Sequence, residues 1–121
     1  MKDELKKRTK EFAVAIIKMT EELPRKNSTF AITNQIIRSS TSVGANYRAA
    51  LRGRSKAEFI AKLGIVVEEA DESVYWLEII QESNLATEEL IKNLWKEANE
   101  LTAIFVSMLK TSKINLANSK G

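Results

Sequence analysis

Leu5, Thr9, Phe12, Ile16, Met19 and Leu23 are separated by steps of 4, 3, 4, 3 and 4. That near-heptad spacing puts all six on one stripe of an α-helix, the arrangement that buries a seam against neighbouring helices. The pattern returns three times: at Ile36, Ser40, Val43 and Tyr47; at Phe59, Leu63, Val66, Ala70, Val74 and Leu77; and at Leu90, Leu94, Ala98, Leu101, Phe105 and Met108. A strand alternates with a period of two, so none of these stretches fits one. Only four Gly and one Pro interrupt 121 residues, a length suited to one domain. Four amphipathic helices with short links predict an all-α fold, an antiparallel up-down four-helix bundle over residues 1–112. Periodicity ends after Met108, and residues 113–121 are expected to fray as a C-terminal tail.

The boundaries follow from local chemistry. The first helix is expected over Asp3 to Leu23, because Pro24 pushes the residue before it out of the α region. The second begins between Ser28 and Thr33, either of which suits a cap, and ends near Gly53, a residue that suits the left-handed position after a helix. Ser55-Lys56-Ala57-Glu58 reads as a capping box for the third helix, which Asn84 closes; Thr87, Glu88 and Glu89 open the fourth. Gly44 costs about 1 kcal/mol relative to Ala inside a helix, which Ser40 and Gly44 repay if another backbone approaches closely. Gly64 invites the same reading, and Asn46 is expected to be a buried amide that fixes register, in preference to one that contacts backbone. Val14 and Ile17 lie off the first seam; Ile65, Tyr75, Trp76 and Ile79 lie off the third, making VYWLEII apolar nearly all round. Burying a helix on two sides requires an oligomer, so Val14, Ile17, Tyr75, Trp76 and Ile79 are the expected interface.

Charge is distributed unevenly. Residues 1–56 carry thirteen Lys/Arg against five Asp/Glu, and residues 57–121 six against eleven. From Asn27 to Ala57 there is no acid at all, while Arg38, Arg48, Arg52, Arg54 and Lys56 fall inside that stretch. Arg38, Ala45, Arg48 and Arg52 lie roughly opposite the second seam, so the cations are expected to share a face. An acid-free cationic surface attracts phosphates. The same arginines also suit pairing with Glu68, Glu69 or Glu72 of the third helix, and the charge pattern alone does not choose. Lys6, Lys7, Arg8 and Lys10 read as a solvated face rather than a binding patch.

Histidine and cysteine are both absent, which removes the commonest general base, the commonest metal ligand and the best nucleophile. No glycine-rich phosphate loop is present, and Glu68, Glu69, Asp71 and Glu72 have no His to complete a Glu-x-x-His metal pair. The expectation is a protein without catalytic activity, cofactor or metal. The charged N-terminus lacks the apolar core of a signal peptide, no apolar run approaches the ~20 residues of a membrane span, and no disulfide is possible, so a cytoplasmic location is expected.

The stretch QIIRSSTSVGANYRAALRGRSKAEFIAKLGIVVEEADESVYWLE resembles the four-helix-bundle proteins encoded in intervening sequences of bacterial 23S ribosomal RNA genes, also called the S23 ribosomal protein family. Gln35, Arg38 and Ser39 match the family's Gln-x-x-Arg-Ser start, and Ser42, Gly44, Ala45 and Asn46 its Ser-x-Gly-Ala-Asn. Arg52, Ser55, Lys56, Glu58 and Phe59 match its basic turn, and Glu69, Ala70, Glu72, Trp76 and Leu77 its Glu-Ala-x-Glu-x-x-x-Trp-Leu helix. Where many relatives have Ile-Ala-Glu after the Asn, this chain has Tyr47-Arg48-Ala49, losing an acid and gaining a cation. The resemblance implies a ring-shaped homo-oligomer, typically a homopentamer. It also implies kinship with the accessory protein of diversity-generating retroelements, a basic pentamer that binds nucleic acid and a reverse transcriptase. The functional expectation is an RNA-binding or other nucleic-acid-binding module, or a protein–protein scaffold whose arginines serve the assembly.

Overall fold

The computed structural model describes residues 1–120, with side chains through Ser119. Four helices follow one another: α1 (Lys2–Thr20), α2 (Asn27–Leu51), α3 (Lys56–Glu82) and α4 (Glu88–Lys120). Each packs on its neighbours in sequence and α4 closes the square against α1, while Tyr47 of α2 reaches across the core to Phe105 of α4. Cross-helix pairs run in opposite senses, as an antiparallel up-down bundle requires. Thr9 faces Gly44, Ser39 faces Ser73, and Glu78 reaches Trp95 while Phe59 and Ile60 lie beside Ser112 and Asn115.

The seams form the core. Leu5, Phe12, Ile16, Met19 and Leu23 of the first stripe are buried with Ile36, Val43 and Tyr47 of the second. Leu63, Val66, Ala70 and Leu77 join them, as do Leu94, Ala98, Leu101 and Phe105. Ser73 and Ile80 complete the α3 stripe, and Val74 is only half-buried against it. Ile91 adds a fully buried side chain that the α4 spacing missed.

Several ends differ from expectation. The chain leaves the α1 helix at Thr20, three residues early, through Glu22 N–H to Met19 and Leu23 N–H to Thr20 carbonyl bonds; the restraint imposed by Pro24 tightens the last turn. Neither Ser28 nor Thr33 caps α2, which starts at Asn27 behind an extended Lys26 with no side-chain cap. Gly53 is not left-handed. A β-carbon there would lie 3.0 Å from the Ala50 carbonyl oxygen and 3.2 Å from Phe59 N, so close backbone approach is what calls for glycine. The Ser55 capping bond forms, its hydroxyl accepting from Glu58 N–H at 3.1 Å. Asn84 closes α3 at φ 54°, with Leu85 N–H to the Ile80 carbonyl and Asn84 N–H to that of Gln81, a Schellman arrangement.

The expected tail is helical instead, since α4 continues through Lys120; Gly121 lies outside the described residues. No Gly or Pro interrupts residues 88–120, so the helix propagates beyond the last apolar turn. Gly64 also departs from expectation: nothing lies within 4 Å of where its β-carbon would be, so no helix packs closely there. Asn46 fixes no register, because its amide donates to the Ser42 carbonyl one turn back in the same helix, at 2.9 Å.

Candidate nucleic-acid interface

The positions that carry the sequence resemblance fold into a clamp between α2 and α3. Arg38 donates to Glu69 at 2.7 Å and to Glu72, whose other neighbour is the Trp76 indole N–H at 3.2 Å. One turn of helix deeper, the buried Ser73 hydroxyl donates to Ser39 at 3.0 Å. Burial pulls the Arg38 pKa down, but the Glu72 hydrogen bond and the Glu69 charge outweigh it and leave the guanidinium pKa raised. The acidic cluster thus divides: Glu69 and Glu72 hold Arg38, while Glu68 and Asp71 face solvent without an ion pair among the described residues.

Arg8, read from sequence as solvated, is also committed. Its guanidinium grips Glu97 through two hydrogen bonds of 2.8 and 2.7 Å and meets Glu100 at 2.8 Å, tying α1 to α4. Those hydrogen bonds, Glu97 first, raise its pKa well beyond the ordinary range.

Arg48, Arg52, Arg54 and Lys56 behave differently. All four are exposed, and none forms an ion pair among the described residues. Arg48 does not share a face with Arg38, which lies against α3. Ten residues further along α2, Arg48 turns toward α1 and lines a groove of about 530 Å³ with Lys6, Lys7 and Lys10 on the opposite wall. Gly44, Ala45 and Ala13 contribute small side chains to the groove, with Thr9 and Thr41 beside them. The groove exists because α1 and α2 meet at Gly44, where an added β-carbon would stand 3.0 Å from Thr9 Oγ1. Arg52 caps the end of α2, and Lys56 begins α3 beside Ser112 and Asn115 of α4. The sequence signal for the α1 wall was present: Thr9 on the first seam and Gly44 beside the second bring two helices close and carry the α1 lysines toward Arg48.

The expected interface residues fall on opposite sides. Val14 is 44 % exposed on α1 and Tyr75 53 % exposed on α3, helices that lie diagonally across the bundle. Ile17, Trp76 and Ile79 are half-buried. Trp76 packs on the core and stacks edge-on against Tyr75 with ring centroids 5.0 Å apart, so much of its surface is already used within the subunit. No described helix is long and apolar enough to cross a membrane, and no described group of three or more acids is arranged to hold a metal ion.

A four-helix bundle with one cationic groove is the class of molecule this geometry defines. The family model for the 23S rRNA-intervening sequence protein matches residues 1–107, and the chain belongs to that family. It is similar to a solved structure from Bacteroides thetaiotaomicron VPI-5482, a protein of unknown function from the S23 ribosomal protein family. The two share 36 % sequence identity at a TM-score of 0.80, over 87 % of this chain and 97 % of the other. None of the functionally curated proteins matches.

Proposed function

We propose that this protein is a non-catalytic, cytoplasmic, homo-oligomeric module that binds nucleic acid, above all structured RNA, through the basic surface formed by Arg48, Arg52, Arg54 and Lys56. The observation that carries this reading is how the cations divide. Arg8 and Arg38 are held by carboxylates of neighbouring helices, whereas these four have no such partner among the described residues. If the arginines served the subunit's own stability, Arg48 and Arg52 would be expected to pair as Arg38 does. Long unpaired cations position a phosphate backbone and read few base edges, so affinity would depend little on sequence.

Assembly is part of the proposal. Apolar patches on opposite sides of a subunit, Val14 with Ile17 and Tyr75 with Ile79, suit a head-to-tail contact, and such contacts close into rings when the rotation permits. The family resemblance favours five subunits. A ring repeats each weak phosphate site, and linked sites gain effective concentration. A reverse transcriptase is a candidate protein partner on the same resemblance.

The test is an RNA-hairpin binding assay on wild type and Arg48→Ala/Arg52→Ala, with light scattering at micromolar concentration. The proposal predicts an oligomer mass for both proteins and much weaker RNA binding for the double variant. Equal binding by an intact assembly would favour the scaffold reading. A variant that dissociates would make the arginines structural.

A further inference from the structure

The groove between α1 and α2 has a feature that cationic charge alone does not require. Thr41 lines it, and the Thr41 hydroxyl donates its proton to the Ile37 carbonyl at 2.7 Å. A hydroxyl with its hydrogen committed offers only lone pairs. The groove therefore presents an acceptor among donors, between the Lys6, Lys7 and Lys10 wall and Arg48. Among the described residues the sole ion pair on these four cations is Lys7 with Glu11, at 3.8 Å between side chains 80 % and 64 % exposed, a pair worth little.

A bare anion would use the cations and leave Thr41 idle. A ribose-phosphate strand uses both, because its phosphates meet cations and its 2′-hydroxyl supplies the missing donor. We infer that this groove seats one strand of an RNA backbone, with phosphates between Lys6, Lys10 and Arg48 and a 2′-hydroxyl donating to Thr41 Oγ1. The inference rests on the nucleic-acid reading above and adds to it the site and the preference for RNA over DNA. Register supports the arrangement. With Thr9 opposite Gly44 in antiparallel helices, Lys6 lies level with Arg48, and Ala13 with Thr41. The groove therefore runs about 10 Å, seven residues at 1.5 Å each. Small side chains at Gly44, Ala45 and Ala13 leave room for a sugar-phosphate chain to approach.

The experiment compares an RNA hairpin with the DNA hairpin of the same sequence, by fluorescence anisotropy, on the full chain. The proteins are wild type, Thr41→Val, Thr41→Ser, Lys6→Ala/Lys10→Ala and Arg52→Ala/Arg54→Ala, each checked for helicity and assembled mass. Thr41→Val is expected to weaken RNA binding about three- to tenfold, one hydrogen bond's worth, and leave DNA binding unchanged. Thr41→Ser keeps the acceptor and should retain wild-type RNA affinity. Lys6→Ala/Lys10→Ala should weaken both ligands and make the salt slope shallower by about 1.4–1.8. Equal effects of Thr41→Val on RNA and DNA, or none on either, overturn the inference. So does a lysine variant that binds normally while Arg52→Ala/Arg54→Ala does not, although RNA binding as such would then stand. A lysine variant with altered assembled mass would show that the groove holds a second copy of the chain. A wild type that binds neither hairpin removes both the groove assignment and the function on which it rests.

Discussion

Arg38 and Arg48 lie ten residues apart on one helix, and their surroundings are opposite in charge. Arg38 leans on α3, where Glu69 and Glu72 absorb its charge; Arg48 leans toward α1, where lysines face it. Spacing alone placed both on the polar side of α2, but a side chain's partner depends on which neighbouring helix lies beneath it. Tyr47, next to Arg48, turns inward: it is fully buried against Phe105, with ring centroids 5.1 Å apart. Burial pushes its phenol above the ordinary value of 10.0, and the Asp3 charge adds to the shift. A raised pKa in the folded state means the stabilising contribution is complete below about pH 10 and is lost as pH rises through the folded value. Denaturation at about pH 9 and about pH 11.5 should therefore show wild type losing more stability than Tyr47→Phe, which has no proton to release. Equal losses would mean that the phenol ionises as easily folded as unfolded.

Among the elements, two glycines predict opposite outcomes. At Gly44 a methyl group would press on Thr9, which is fully buried and held by its hydrogen bond to the Leu5 carbonyl at 2.8 Å. Thr9 cannot give way, so Gly44→Ala should destabilise by about 1–2 kcal/mol, overcoming its helix-propensity gain. At Gly64 nothing lies within 4 Å, and Gly64→Ala should stabilise by up to about 1 kcal/mol. Thermal or urea unfolding measures both, and the same sign at both positions would contradict the packing described. The sequence made the four helices and most of the core legible because 3.6-residue periodicity reports burial directly: the α1 seam, from Leu5 to Leu23, is buried throughout. It misjudged Gly64, whose surroundings depend on tertiary placement, and it left α4 short because missing apolar spacing is not a helix stop. For the candidate site it pointed to Arg48, Arg52, Arg54 and Lys56 and read Lys6, Lys7 and Lys10 as a solvated face, because their place in the groove beside Arg48 follows only from the meeting of Thr9 with Gly44. The family motif, in turn, proves mostly architectural: Arg38, Ser39, Glu69, Glu72 and Trp76 tie α2 to α3.

Over the whole molecule, antiparallel packing turns a chain-wise charge bias into an end-to-end one. The half of the bundle formed by residues 1–13, 40–68 and 104–119 carries twelve Lys/Arg against five Asp/Glu. The half formed by residues 14–39 and 69–103 carries six against eleven. The groove and the α2–α3 turn both lie in the basic half, so a polyanion is attracted to one end and repelled from the other. In a ring with subunits side by side, that polarity would give one basic rim. On the proposed function, binding to that end would release counterions. The direct measurement is the affinity of wild type for an RNA hairpin across a salt series. If about four to six phosphates are neutralised, log K should fall against log salt with a slope of roughly −3 to −5, at 0.7–0.9 per phosphate. Arg48→Ala/Arg52→Ala should flatten that slope while remaining assembled. A salt-independent affinity, or an unchanged slope in the assembled variant, would contradict the assignment of these cations to phosphate binding.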